Sequence, residues 1–470
     1  MRSPAQCALP IWLIIATWFI PLHALAQVPP LVSSDEAAEV LGRLDRRLDE
    51  LEQENRAIRA ENAQLLEAFG NSDSEHAEAW LRPAPKYAPG EGVTISMLND
   101  TSNLTLGMKL SGLGVFSTQR PQPPSLPMFL SPASPTGLSN KSFDLHARQS
   151  SLDARFTGPE FCGLTPGGEV LAMFFNDNIS TDNYGLLVYY AFGELKNDDV
   201  RFAAGLQRDI FNPVGPTILP SSYLYGSGNA GSYRGQIRFE HFAHLDNGSQ
   251  LTFQFGLSEA ISTLVRNSLA DPLVEDNGWP NLEGRLALGA GEIQEYMGGR
   301  KQRPIELGVS GVVGQIRITT PSSGARDPVR IVDDVWAVGC DLQWAITDRL
   351  GMKGELFMGQ TLGEYNAGVL QNFNSDTFGP IRTHGGYGEV YYYLSPKCHV
   401  HCGYSIDNPN NGDLAGGQIA SNQTIFNILY YDFSKSFQIG FEVDHRRTNY
   451  VAPLKDADAI LVMTQFLWRF

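Results

Sequence analysis

Two hydrophobic periods divide the chain. Between residues 31 and 70 apolar positions recur at alternating spacings of three and four: Leu41, Leu44, Leu48, Leu51, Ile58 and Leu65, with Asn55 and Asn62 completing the a positions and Phe69 next in line. About four heptads of this kind predict an α-helical coiled coil, and Asn at a fixes register and oligomeric state at a cost in stability. Such a seam is half-exposed on a lone helix, so it implies an oligomer; the competing reading is one amphipathic helix lying on a globular body. Residues 71–97, with Pro83, Pro85 and Pro89-Gly90, suit a linker.

From about residue 98 the period becomes two. Every odd residue of Leu251-Thr252-Phe253-Gln254-Phe255-Gly256-Leu257 is apolar. Trp336, Val338, Cys340, Leu342 and Trp344 share one face against Ala337, Gly339, Asp341 and Gln343, and Phe437, Ile439, Phe441 and Val443 face away from Gln438, Gly440, Glu442 and Asp444. This is strand periodicity. It predicts strands near 104–116, 142–157, 168–178, 184–194, 200–208, 232–244, 249–258, 281–291, 304–315, 331–345, 350–361, 380–395, 397–408, 423–432, 436–448 and 458–469, which is sixteen.

A soluble sandwich also alternates, but three features favour an all-β transmembrane barrel of about 16 antiparallel strands. The strands run about ten residues, enough to cross a bilayer when tilted. The polar face is rich in Gly, Gln, Arg and Glu, as a wet lumen requires. Long connections (117–141, 209–231, 259–280, 362–379) alternate with tight ones (245–248, 346–349, Pro396, 433–435). Outer-membrane barrels show that asymmetry and a sandwich has no reason for it. The strand number is even, so both ends of the barrel, and the coiled coil, are expected in the periplasm.

The termini agree. Arg2 precedes an apolar stretch from Ala8 to Ile20, and Ala24-Leu25-Ala26 fits a cleavage site before Gln27. That predicts a signal peptide over 1–26, a coiled coil over 27–70, a linker over 71–97 and a barrel over 98–470. At the other end Ile460, Val462, Phe466, Trp468 and Phe470 share one face of a last strand that closes the barrel and removes its edge. The aromatic last residue looks like the assembly signal of outer-membrane barrels.

Composition narrows the function. Of 470 residues, 18% are charged and the net charge is −16, so no excess of Lys and Arg exists to meet nucleic-acid phosphates. No window after the N-terminus has ~18 consecutive apolar residues, which argues against a helical membrane protein. Cys162, Cys340, Cys398 and Cys402 remain in the mature chain, too few for a disulfide scaffold.

Local segments carry a family resemblance. Ala147-Arg148-Gln149-Ser150-Ser151-Leu152, Ala191-Phe192-Gly193-Glu194-Leu195, Ala204-Gly205-Leu206-Gln207 and Arg234-Gly235-Gln236-Ile237-Arg238 are similar to successive strands of the DcaP-like porins, which are related to the phosphate-selective porins. The chain resembles that family most clearly over residues 140–240, and it departs from it in having Arg208-Asp209 after the Gly-Gln pair. The resemblance implies a trimer of water-filled barrels in outer-membrane lipid, passing small, often anionic, solutes. It also implies that the loop over 209–231 folds inward and narrows the lumen; the alternative is a surface loop.

In such a protein the chemistry is selection, set by charged rings and pore radius. Parity nominates the lumen-facing groups. Arg201 and Gln207 alternate with Phe202, Ala204 and Leu206; Arg234, Gln236, Arg238 and Glu240 oppose Tyr233, Ile237 and Phe239. Arg285, Asp341, Lys353, Glu355, Glu389, Glu442 and Asp444 follow by the same rule. Arg155 opposes Leu152 and Phe156, although polar Arg148 and Ser150 share the parity of those two residues. Basic positions concentrate at 200–240 and acidic ones later, so the expectation is a transverse field across the pore; alternatively the charges pair with one another. No catalytic residue, metal or cofactor is predicted. Gly226-Ser227-Gly228-Asn229-Ala230-Gly231 matches a dinucleotide pattern but leads into a strand rather than a helix. Cys398-His399-Val400-His401-Cys402 puts its cysteines on one strand face and its histidines on the other, so no single ion can take all four. The expected function is that of an outer-membrane porin. The alternatives are a structural protein tying the outer membrane to the cell wall through its coil, and a barrel-borne hydrolase, for which His146, His241 and His445 lack a serine partner by parity.

Overall fold

The computed structural model describes residues 53, 86–88, 90–97, 101–122, 126–138, 140–175, 185–220, 222–261, 274–276, 278–319 and 330–470. The expected signal peptide lies outside these residues, as does the coiled coil apart from residue 53.

The period-two segments form the strands they predict. They are β1 (Ser102–Ser117), β2 (Ser142–His146 continued by Ser151–Thr157), β3 (Thr165–Phe175), β4 (Gly185–Lys196), β5 (Val200–Arg208), β6 (Tyr233–His244), β7 (Gln250–Ser258), β8 (Asn281–Ala290), β9 (Ile305–Thr319), β10 (Arg330–Ala345), β11 (Leu350–Gln360), β12 (Arg382–Ser395), β13 (Cys398–Pro409), β14 (Ile419–Ser434), β15 (Phe437–Tyr450) and β16 (Ala457–Arg469). Each pairs antiparallel with its neighbours in sequence, and β16 returns to β1 from Leu461↔Ser117 to Arg469↔Lys109. Phe470 completes the seam: its N–H donates to the Met108 carbonyl at 2.9 Å and its carbonyl accepts the Met108 N–H at 3.2 Å. The result is a closed sixteen-stranded antiparallel barrel; the segment expected as a linker over 71–97 ends instead in strands, Gly92–Met97 pairing with β1 from Val93↔Leu106 to Met97↔Ser102 and Lys86–Ala88 pairing with residues 92–94.

The outer face is apolar and exposed, as at Phe253, Leu286, Val309, Val338, Leu356 and Phe441. Alternation explains this, with interruptions: a bulge opposite Leu171 and Ala172 switches parity in β4, so that Leu186 and Leu195 both face outward, and β2 is interrupted by a turn. In β2 the outward residues are Phe143 and Leu145, then Leu152 and Phe156. The turn at 147–150 switches parity, and that resolves Arg155 onto the inner face beside Asp153, 2.9 Å away.

Connections at the end carrying the start of β1 and the end of β16 are short, such as 197–199, 346–349 and 396–397. The exception is 291–304, which holds a small hairpin of Gln294–Tyr296 with Arg300–Gln302. At the opposite end the connections are longer, and among the described residues three of them enter the barrel.

The interior is therefore not uniformly wet. Leu113 and Val115 of β1, Phe426 and Ile428 of β14, and Leu461 and Met463 of β16 pack with Leu219 and Leu224 of the 209–232 loop. A second cluster joins Phe211 and Ala230 of that loop to Val335, Ala337 and Phe357 of the wall and to Leu362 and Tyr365 of the 361–381 loop. Burying each large side chain contributes roughly 1.5–3 kcal/mol. Wall glycines make the recesses: a Cβ at Gly339 would come within 2.1 Å of Asn212 Oδ1, and one at Gly440 within 2.5 Å of a Leu219 methyl.

Candidate functional site

The 209–232 loop leaves β5 and crosses the lumen. Pro213, Pro216 and Pro220 deny it regular structure, so its buried N–H groups need partners outside a ladder. The barrel wall supplies them. Glu283 of β8 accepts the N–H of Ile210 at 2.7 Å and of Phe211 at 3.3 Å, and the Ser310 hydroxyl of β9 accepts that of Asn212 at 3.2 Å. Glu355 of β11 takes the Val214 N–H, Glu389 of β12 the Thr217 N–H at 2.8 Å, and Glu442 of β15 the Leu219 N–H. Carbonyls are held as well. The Tyr387 hydroxyl donates to Val214, Lys353 Nζ to Gly215 at 2.7 Å, and Gln149 Nε2 to Leu219 at 2.8 Å. The loop is thus clasped to five strands, β8, β9, β11, β12 and β15, and to the turn that interrupts β2.

Two further insertions complete the narrowing. The Asn366 amide and carbonyl of the 361–381 loop bond Gly231 and Gly226. From the first long connection, Met128 and Leu130 are held by Asn422, Arg446, Thr448 and Tyr450.

The inner wall carries the remaining charges, and most are paired. Arg201 bonds Glu194 at 2.6 Å and Glu240 at 3.2 Å, and it reaches Gln207 at 3.4 Å. Arg238 meets Glu240 at 3.3 Å, and Gln254 links Glu240 at 2.9 Å to Arg285 at 3.2 Å. Arg285 in turn holds Asp341 at 2.6 Å and Glu306 at 2.9 Å. Arg234 is fully buried: it grips Asp209 with two bonds, lies 3.8 Å over the Tyr365 ring, and donates to the carbonyls of Glu259, Ala260 and Glu364. Gln236 donates to Asp209 at 3.2 Å, and Asp444 pairs with Arg446 at 3.2 Å.

This differs from the expectation of opposed free arrays. Arg201, Arg234 and Arg238 have carboxylates beside them, and Glu355, Glu389 and Glu442 accept N–H groups of the loop. The reason is desolvation: a loop packed against the wall removes water, and charges left there need partners.

Arg208 is different. Among the described residues no carboxylate lies within ion-pair distance of it; its guanidinium makes one long bond, 3.5 Å, to the Asn212 carbonyl. It is half-buried and sits against Gly215, where a Cβ would be 3.1 Å from Nη1. Tyr225, Tyr233, Glu355 and Tyr387 lie around it. Burial pushes the loop phenols of Tyr223 and Tyr225 up, and the nearby Arg208 charge opposes that. Arg208 shares the parity of Phe202 and Leu206, so alternation hides it. The positive φ of Gly205, 129°, marks the local distortion just before it. Glu283 also escaped the sequence reading, although it shares the parity of Arg285.

The two discounted motifs have plain places. Gly226, Gly228 and Gly231 take positive φ inside the lumen loop. His399 and His401 lie buried on the inner face, with Cys402 exposed outside.

No family model matches the chain, and no curated protein matches it in sequence. Solved structures do. The outer-membrane channel DcaP of Acinetobacter baumannii superposes with a TM-score of 0.58 at 15% identity, over 79% of this chain and 99% of that one. The chain has an outer-membrane porin-type fold. An anion-selective porin from Comamonas acidovorans aligns at 11% identity over 78% of this chain and 100% of that one, with a TM-score of 0.47. Salmonella typhi OmpF in complex with daunomycin aligns at 14% identity over 80% and 100%, with a TM-score of 0.47.

Proposed function

We propose that the chain is an outer-membrane porin through which small hydrophilic solutes diffuse passively, with a preference for anions. The observation that carries this reading is the clasped loop. A prolyl segment strung across the lumen on wall carboxylates narrows a barrel without sealing it by a folded domain. The same clasp consumes acidic groups and leaves the Arg208 guanidinium without a carboxylate partner beside the loop. A fixed cation at a constriction lowers the barrier for anions and raises it for cations. Arg155, Arg201, Gln207, Arg234, Gln236, Arg238, Glu240, Arg285, Asp341, Lys353, Glu355, Glu389, Glu442 and Asp444 line the inner wall. Most of them hold the loop or hydrate the vestibule through paired charges rather than meet solute singly. The heptads at 27–70 serve assembly in the periplasm, as a trimer.

Liposome swelling tests this. Vesicles carrying the protein should swell in small anionic solutes faster than in cationic ones of the same size. Equal rates would remove the anion preference, and no swelling would remove the pore. A second reading, a barrel that anchors the membrane to the wall through its coil, is favoured by the three connections that enter the interior; it requires no swelling at all.

A further inference from the structure

The paired histidines of β13 form part of a continuous chain. Asp432 Oδ2 lies 3.3 Å from His399 Nε2, His399 Nδ1 lies 2.8 Å from His401 Nε2, and His401 Nδ1 lies 2.6 Å from Glu389 Oε1. The second oxygen of Glu389 accepts the Thr217 N–H of the lumen loop at 2.8 Å. We propose that His399 and His401 are positioning residues for the constriction loop, and that the chain through them makes the conductance of the channel depend on pH. This rests on the reading of the protein as a pore.

Three gaps between the four side chains each need one proton to be hydrogen-bonded. Two neutral imidazoles supply two, because each carries a single N–H. The third must come from one imidazolium or one protonated carboxyl. A fourth proton makes both rings imidazolium, and two N–H groups then face each other across 2.8 Å. That contact has no acceptor and brings two like charges together, so the rings must part. Losing the third proton leaves one gap unbonded. The fully bonded chain therefore exists at one level of protonation, and adding or removing a proton breaks it.

The rings cannot easily swing away to avoid this. His399 is stacked between Tyr393 at 4.7 Å and Tyr430 at 5.0 Å, on the strands at either side. His401 lies 5.7 Å from the Tyr391 ring, and Arg300 of the short-turn hairpin covers Tyr391 and Tyr393. Other charges reach the chain. Lys353 of β11 is 3.7 Å from Glu389 and also holds the Gly215 carbonyl of the loop, while Glu442 of β15 and Arg469 of β16 act on Tyr430. Asp432 is fixed by Gln438 at 2.7 Å and is part-exposed near the short-turn end, where protons can arrive. Disturbing Glu389 acts on two loop contacts, the Thr217 N–H directly and Gly215 through Lys353.

The test is single-channel conductance of the full-length protein in planar bilayers between about pH 7.5 and about pH 5, for the wild type, His399→Gln and His401→Gln. The wild type should change conductance by about twofold or more across that range, and each variant should flatten the profile. His399→Gln lies one link away from Glu389 and keeps the question open to measurement if His401→Gln fails to assemble. Open steps whose conductance is independent of pH in the wild type overturn the proposal while leaving the pore intact. A wild-type profile retained in His399→Gln overturns it too. Absence of any open step removes the pore reading, and the proposal falls with it.

Discussion

Glu442 on the barrel wall accepts the backbone N–H of Leu219, a residue 223 positions away in sequence. On its other side the Leu219 carbonyl takes a bond from Gln149 in the turn that breaks β2. Both polar groups of one buried loop residue are thus satisfied by side chains from opposite ends of the chain. Contacts of this kind turn a segment that cannot form a sheet into a fixed part of the lumen.

Removing such an acceptor should loosen the loop more than it harms the barrel. Glu442→Ala leaves a buried N–H without its partner, a loss of about 1–3 kcal/mol. Glu442→Gln keeps a carbonyl acceptor and should lose less. Open-channel current noise and guanidinium unfolding in detergent report the two effects. Noise and stability identical to wild type in Glu442→Ala would show that the clasp does not hold the loop.

Arg208 should set ion preference. Arg208→Ser should lower the chloride-to-potassium permeability ratio by about threefold or more, because a fixed charge at a constriction acts directly on the permeating ion. Arg155→Gln, at an exposed wall position paired with Asp153, should change it little. A larger shift in Arg155→Gln than in Arg208→Ser would place the selective element in the vestibule instead.

Arg234 should matter for folding rather than for selection. It is fully buried with Asp209, so Arg234→Met strands a buried carboxylate and should cost about 3–5 kcal/mol. Replacing both residues, Arg234→Met with Asp209→Leu, should recover part of that loss. Denaturant midpoints of the single and double variants decide it; a harmless single variant would mean the pair is not buried as described.

Deleting residues 27–70 should weaken the oligomer and leave the barrel folded. Native mass measurement in detergent, with heat-modifiable migration as the folding readout, checks this. Full oligomer stability after the deletion would remove the coil as an assembly device.

Much of the fold was legible in the residues because alternation in a barrel has one physical cause, lipid outside and protein or water inside. β5 and β7 follow from period two almost to the residue, and Glu355, Glu389 and Glu442 were placed on the inner face by the same rule. Their partners were not legible. Each binds an N–H of a loop 141, 172 or 223 residues away, and nothing in a strand's period reports a contact at that distance. Leu113, Val115, Leu461 and Met463 show the converse. An inner face expected to be polar is apolar where the loop packs on it. Arg208 was missed for a local reason, since the distorted backbone at Gly205 precedes it and parity no longer tells where its side chain goes.

The central claim is that the clasped loop narrows an open pore and leaves Arg208 to favour anions. The most direct test is the reversal potential of single channels in a planar bilayer under a KCl gradient. Discrete open steps reversing toward the chloride potential are the predicted result. Steps reversing toward the potassium potential, or well-folded protein that shows no steps, would contradict it.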